Sequence, residues 1–84
     1  MLYEQINVEC YSGYRIDERP VAFIYQDRRW EIAEIIDRWY EGGIDPSRPV
    51  FNYFKVRTSE GNIFLLRNDP SLDQWYLHFP PRMN

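Results

Sequence analysis

The chain is poor in the residues that mark many small functional domains. Its 84 residues include one cysteine, Cys10, one histidine, His78, and one lysine, Lys55. A lone cysteine excludes an internal disulfide, and with it the disulfide-stapled class of small secreted domains. One cysteine and one histidine cannot close a metal site without carboxylates, and no ligand spacing accompanies them, so no metal is expected. A Cys10–His78 nucleophile pair would need a third, orienting group. Cys10 instead falls on the apolar parity of its segment and reads as a small core filler, so no catalytic residue is assigned. Four glycines, two of them adjacent, make no phosphate-cradling loop, and no cofactor is expected. No apolar run approaches the length that spans a bilayer and no leader pattern is present, so a cytoplasmic protein without membrane association is expected.

Positive charge is also scarce. The net charge is -3, which argues against wholesale wrapping of nucleic acid or of an anionic membrane. The imbalance sits in the first half: residues 1–42 hold nine acids and five arginines, residues 43–84 four acids and five bases. The carboxylates Asp17, Glu18, Glu31, Glu34, Asp37 and Glu41 are framed by no apolar pocket and read as a solvated face. Aromatic residues, by contrast, are plentiful. They make up 18% of the chain, which lets one small domain over residues 1–84 build a core despite the roughly 60% surface burial its size allows.

Period-two alternation places the strands. In Val50–Thr58, Phe54 and Val56 share one face while Lys55 and Arg57 share the other. Ser59-Glu60-Gly61-Asn62 supplies a turn, Ile63–Arg67 a short apolar strand that reads as buried on both faces, and Asn68-Asp69-Pro70-Ser71 a second turn. Trp75, Leu77 and Phe79 alternate with Tyr76 and His78, and Pro80-Pro81 ends that strand before a short tail, 80–84. Residues 50–79 therefore form a three-stranded meander. Upstream, Ile6, Val8 and Cys10 alternate with Asn7, Glu9 and Tyr11. Val21, Phe23 and Tyr25 share a face of the next strand, and a turn begins at Gln26-Asp27. The glycines and prolines of 42–49 form a loop between the N-terminal strands and the meander.

Trp30–Tyr40 is ambiguous by spacing. Ile32, Ile35, Ile36, Trp39 and Tyr40 stand at i, i+3, i+4, i+7 and i+8, which fits an amphipathic helix capped near Gly42. A strand with one bulge also fits, with Trp30, Ile32, Ile35 and Trp39 on one face.

The run Cys10-Tyr11-Ser12-Gly13-Tyr14, followed by Glu18-Arg19-Pro20-Val21-Ala22-Phe23, resembles the opening of a family of small stand-alone bacterial proteins of unknown function. The later runs Tyr53–Thr58, Gly61 and Trp75–His78 are similar to the C-terminal tail of inactive, Y-family-polymerase-like proteins of bacterial mutasome cassettes. The resemblance implies a mainly β domain with Trp30–Tyr40 as the partner strand of a hairpin, and it implies no catalytic residues. The expected fold is thus an antiparallel meander of five or six strands, able to curl into a small, partly open barrel. The alternative is α+β with a helix at 30–41.

The positive functional signal is rings beside cations. Tyr53, Lys55 and Arg57 project from one strand face, near Tyr76 and His78 if their strands adjoin. Such a face suits a protein partner, where tyrosine, tryptophan and arginine concentrate. It also resembles a single-stranded nucleic-acid platform, which makes an accessory role in DNA repair or translesion synthesis the second reading. Ser12, Gly13, Tyr14 and Arg19 form a second candidate patch, a recognition loop or a simple chain reversal.

Overall fold

The alternating segments become six strands in the computed structural model, which describes residues 2–11, 19–42, 47 and 50–79. They are β1 (Leu2–Tyr11), β2 (Arg19–Tyr25), β3 (Arg28–Glu41), β4 (Phe51–Thr58), β5 (Ile63–Asp69) and β6 (Gln74–Phe79). Each pairs antiparallel with the next, and β1 returns to pair with β6, which closes the sheet into a barrel. The mainly β expectation holds and the helix at 30–41 does not form. The expected loop over 42–49 lies outside the described residues except at Gly42 and Ser47, and the tail 80–84 lies wholly outside them.

Closure depends on the two longest strands, each of which serves two neighbours. β1 gives its first residues to β6, from Leu2↔Phe79 to Ile6↔Trp75, and its last to β2, from Asn7↔Ile24 to Tyr11↔Arg19. β3 gives Arg28 to Glu31 to β2 and Ile32 to Glu41 to β4. A strand that changes partners must bend, and a bulge bends a strand and sharpens its twist. The register of β1 with β2 shifts between Glu9 and Cys10, where Val21 of β2 is the extra residue, and β3 carries two extra residues of its own, between Ile32 and Glu34 and between Ile35 and Asp37.

The second shift in β3 corrects the one-bulge reading. Trp30, Ile32 and Ile35 pack against the core, but the extra residue after Ile35 turns Trp39 to the outer face, where it stacks on Tyr53. Inside, Ile6, Phe23, Tyr25, Phe54, Val56, Phe64, Leu66, Trp75 and Leu77 form the core. Phe64 sits at its aromatic centre, with its ring edge-on to Phe23 at 5.2 Å and to Trp30 at 5.2 Å. β5 is not buried on both faces: Phe64 and Leu66 are buried while Ile63 and Leu65 are half-exposed. Val21, placed by alternation with Phe23 and Tyr25, is exposed.

The turns keep the register. Thr58 N–H donates to the Asn62 carbonyl at 2.8 Å, and the Thr58 hydroxyl accepts from Asn62 N–H at 3.1 Å. Gly61 in this turn has φ +92°, a conformation that costs glycine nothing. β5 runs on to Asp69, two turn residues further than alternation suggests. The buried Asp69 carboxylate then accepts from Ser71 N–H at 3.0 Å and from Ser71 Oγ at 2.7 Å.

The β2–β3 hairpin turns on Gln26 (φ 55°) and Asp27 (φ 58°) alone, a two-residue loop with both central residues left-handed. Neither is glycine, so each carries a conformational cost. Asp27→Gly is expected to raise stability by about 0.5–1 kcal/mol, read as a higher urea midpoint at unchanged slope. A drop in the midpoint would show that the Asp27 side chain is needed for the turn.

Candidate functional site

Closing the barrel aligns one outer-face residue from each of five strands. Trp39 of β3 pairs with Tyr53 of β4, Tyr53 with Arg67 of β5, Arg67 with Tyr76 of β6, and Tyr76 with Gln5 of β1. A barrel this small cannot hold all fifteen aromatic rings of the chain (three Trp, seven Tyr and five Phe), so several clad its outside. The Arg67 guanidinium carbon lies 4.0 Å from the Tyr3 ring centroid, 4.3 Å from that of Phe51 and 5.2 Å from that of Tyr76. Around this centre Trp39 and Tyr53 stack at 5.5 Å, and Tyr3 meets His78 edge-on at 5.3 Å. Tyr76 donates its hydroxyl proton to Gln74 Oε1 at 2.7 Å. The result is a ring-rich surface fixed by contacts within the chain.

The polar accounting at this surface is incomplete. The Arg67 Nε–H and His78 Nδ1 are buried and have no hydrogen-bond partner among the described residues. No carboxylate forms an ion pair with Arg67 among them either, whereas Arg28 pairs with Glu60, Arg29 with Glu9 and Glu31, and Arg57 with Glu34.

The expected site residues are thus partly brought together. β4 and β6 are not neighbours, because β5 lies between them. Tyr53 and Tyr76 share a face only through Arg67, which pairs with both. Tyr53 does not project but is 8% exposed. Lys55 is exposed and stands opposite Asp37 and Leu65. Arg57 lies on the same face and is held by Glu34 across β3. His78 pairs with Tyr3 of β1. Arg67, Tyr3, Phe51 and Trp39 were missed, although Arg67 stands on the outward parity of Ile63 and Leu65. In the second patch Ser12, Gly13 and Tyr14 lie outside the described residues. Arg19 is exposed at the start of β2, where with Tyr11, Pro20, Val21, Ile32 and Ile35 it borders an open depression of about 490 Å³.

Cys10 packs half-buried against the core from the far end of β1, and His78 pairs with Tyr3 near its start. Seven residues of strand separate Tyr3 from Cys10, roughly 23 Å, so the two cannot act as a pair. No group of three His, Cys, Asp or Glu among the described residues could hold a metal ion. No family model matches the chain, and neither the curated proteins nor the solved structures contain a match.

Burial raises the Tyr53 hydroxyl pKa above its usual 10, against the opposing pull of the adjacent Arg67 guanidinium. Burial, with Glu4 nearby, raises that of Tyr25 as well. The native state therefore keeps these protons where the unfolded chain releases them. Their contribution to stability is whole below about pH 10 and falls as pH rises through the raised values. Spectrophotometric titration should show Tyr25 and Tyr53 ionising late, and Tyr53→Phe should remove one of these late ionisations. Ionisation of all seven in a single step near pH 10 would contradict this placement.

Proposed function

We propose that the protein is a cytoplasmic, non-enzymatic interaction module that docks a protein partner on the ring-rich outer face of β4, β5, β6 and β1. The carrying observation is the aligned row Trp39–Tyr53–Arg67–Tyr76 with Tyr3, Phe51 and His78 packed beside it. Rings locked by their neighbours lose little freedom on binding, and this favours a rigid contact surface. Tyrosine, tryptophan and arginine are the residue types in which binding energy concentrates.

The nucleic-acid reading draws on the same rings but finds fewer free cations. Arg57 is held by Glu34 and Arg67 lies among rings, so Lys55 is the exposed, unpaired cation of the predicted face. A phosphate backbone calls for several such charges.

The test compares wild type, a Tyr76→Ala/Lys55→Glu variant and an Arg29→Gln control altered on β3 away from this row. Each is used to capture partners from lysate after its fold is checked by thermal melting. Loss of captured protein in the double variant alone supports the proposal, and full retention overturns it. Titration of tryptophan fluorescence with single-stranded DNA at two salt concentrations should stay flat. A saturable, salt-sensitive change would move the assignment to nucleic acid.

A further inference from the structure

The Arg67 guanidinium differs from every ion-paired arginine described above in what surrounds it. Three rings lie within 5.2 Å of its carbon, and no described carboxylate neutralises it. Glu41, which the register sets opposite Phe51, forms no ion pair with it. Stacking on rings engages the faces of a guanidinium, and although the Tyr53 hydroxyl takes one N–H of Arg67, the remaining in-plane N–H groups are the kind that meet a carboxylate. The Nε–H is buried and unpartnered, so it holds the charge uncompensated while a carboxylate is received at the terminal N–H groups. A cation fixed in place yet uncompensated is complementary to a negative group on whatever covers it.

We infer that Arg67 is the anchor for an acidic side chain of the protein partner, a carboxylate received at the centre of the ring-rich face. The inference rests on the proposed docking surface and names the chemistry that surface selects. Lys55, exposed one position along the same face of β4 from Tyr53, extends the preference for acidic over neutral segments.

The test follows the arginine Nε–H signals of nitrogen-15-labelled protein by NMR. The buried Arg67 signal is the reporter. The Arg29 signal is the internal control, because its Nε–H is already donated to Glu9 Oε2 at 2.9 Å. A capped tri-glutamate peptide is expected to shift Arg67 saturably, with an apparent Kd on the order of 10 mM, while Arg29 stays still. The capped tri-glutamine peptide should leave both unchanged. Arg67→Lys, which keeps the charge and loses the fork, should weaken the glutamate response at neighbouring backbone amides by about tenfold.

An equal response to the glutamine peptide, or Arg29 moving in step, overturns the inference. So does a stronger response to inorganic phosphate or to a thymidine oligonucleotide, which would identify phosphate as the recognised group. A silent Arg67 in a protein whose double variant has lost its captured partner overturns the carboxylate and leaves the docking surface standing. A responsive Arg67 with partner capture intact in the double variant does the reverse.

Discussion

Phe23→Ala is expected to remove about 3–5 kcal/mol of stability, the largest single loss foreseen for this chain. Phe23 is fully buried, sits in register with Val8 on β1 and Trp30 on β3, and meets Phe64 edge-on at 5.2 Å from across the barrel. It therefore joins three strands to a fourth. Truncation opens a cavity that rings held by the closed sheet cannot collapse to fill. A domain of this size has about 4–12 kcal/mol in all, so the variant should sit close to its unfolding threshold. Chemical unfolding followed by tryptophan fluorescence should show the midpoint roughly halved or lower, with the melting temperature down by about 20 °C. Phe23→Leu, which keeps most of the volume, should lose about 1–1.5 kcal/mol. A loss under about 1 kcal/mol for the alanine variant would mean that the core is not organised around this ring.

Arg67→Ala is expected to cost about 2 kcal/mol although the side chain is only half-buried. Each of its three ring contacts contributes about 0.5–1 kcal/mol, and its aliphatic stem packs between strands that each present a tyrosine. Arg57→Ala is the comparison. It breaks an exposed pair with Glu34 and should cost about 0.5 kcal/mol or less. A double-mutant cycle of Arg67→Ala with Tyr3→Leu should give a coupling of about 0.5–1 kcal/mol, since a cation and the ring it stacks on are not independent. Equal losses for the two arginines, or zero coupling, would remove Arg67 from the centre of the outer face.

Much of this architecture is legible in the chain because alternation depends only on side-chain direction along a strand. Phe54 and Val56 against Lys55 and Arg57, or Trp75 and Leu77 against Tyr76 and His78, sort into inner and outer faces as the sequence suggests. β3 defeats the same logic for a physical reason. A bulge adds one residue, so inward positions two apart become three apart, and Ile32 and Ile35 acquire the spacing of a helix. With two bulges the segment imitates a helical stripe while its ladder to β4 continues to Glu41. The same extra residues put Trp39 on the outside, against its expected place beside Ile35.

The sequence by itself determined that this chain makes strands, where most of them lie, and that rings and arginines are plentiful along them. Only the tertiary structure decided that β1 meets β6. That closure places residues as distant in sequence as Tyr3 and His78 side by side, and β5 between β4 and β6 makes Arg67 the shared neighbour of Tyr53 and Tyr76. Alternation is a local property of each backbone segment. Which strands adjoin is set by the bends at the bulges and by the burial gained when the sheet closes on its aromatic core.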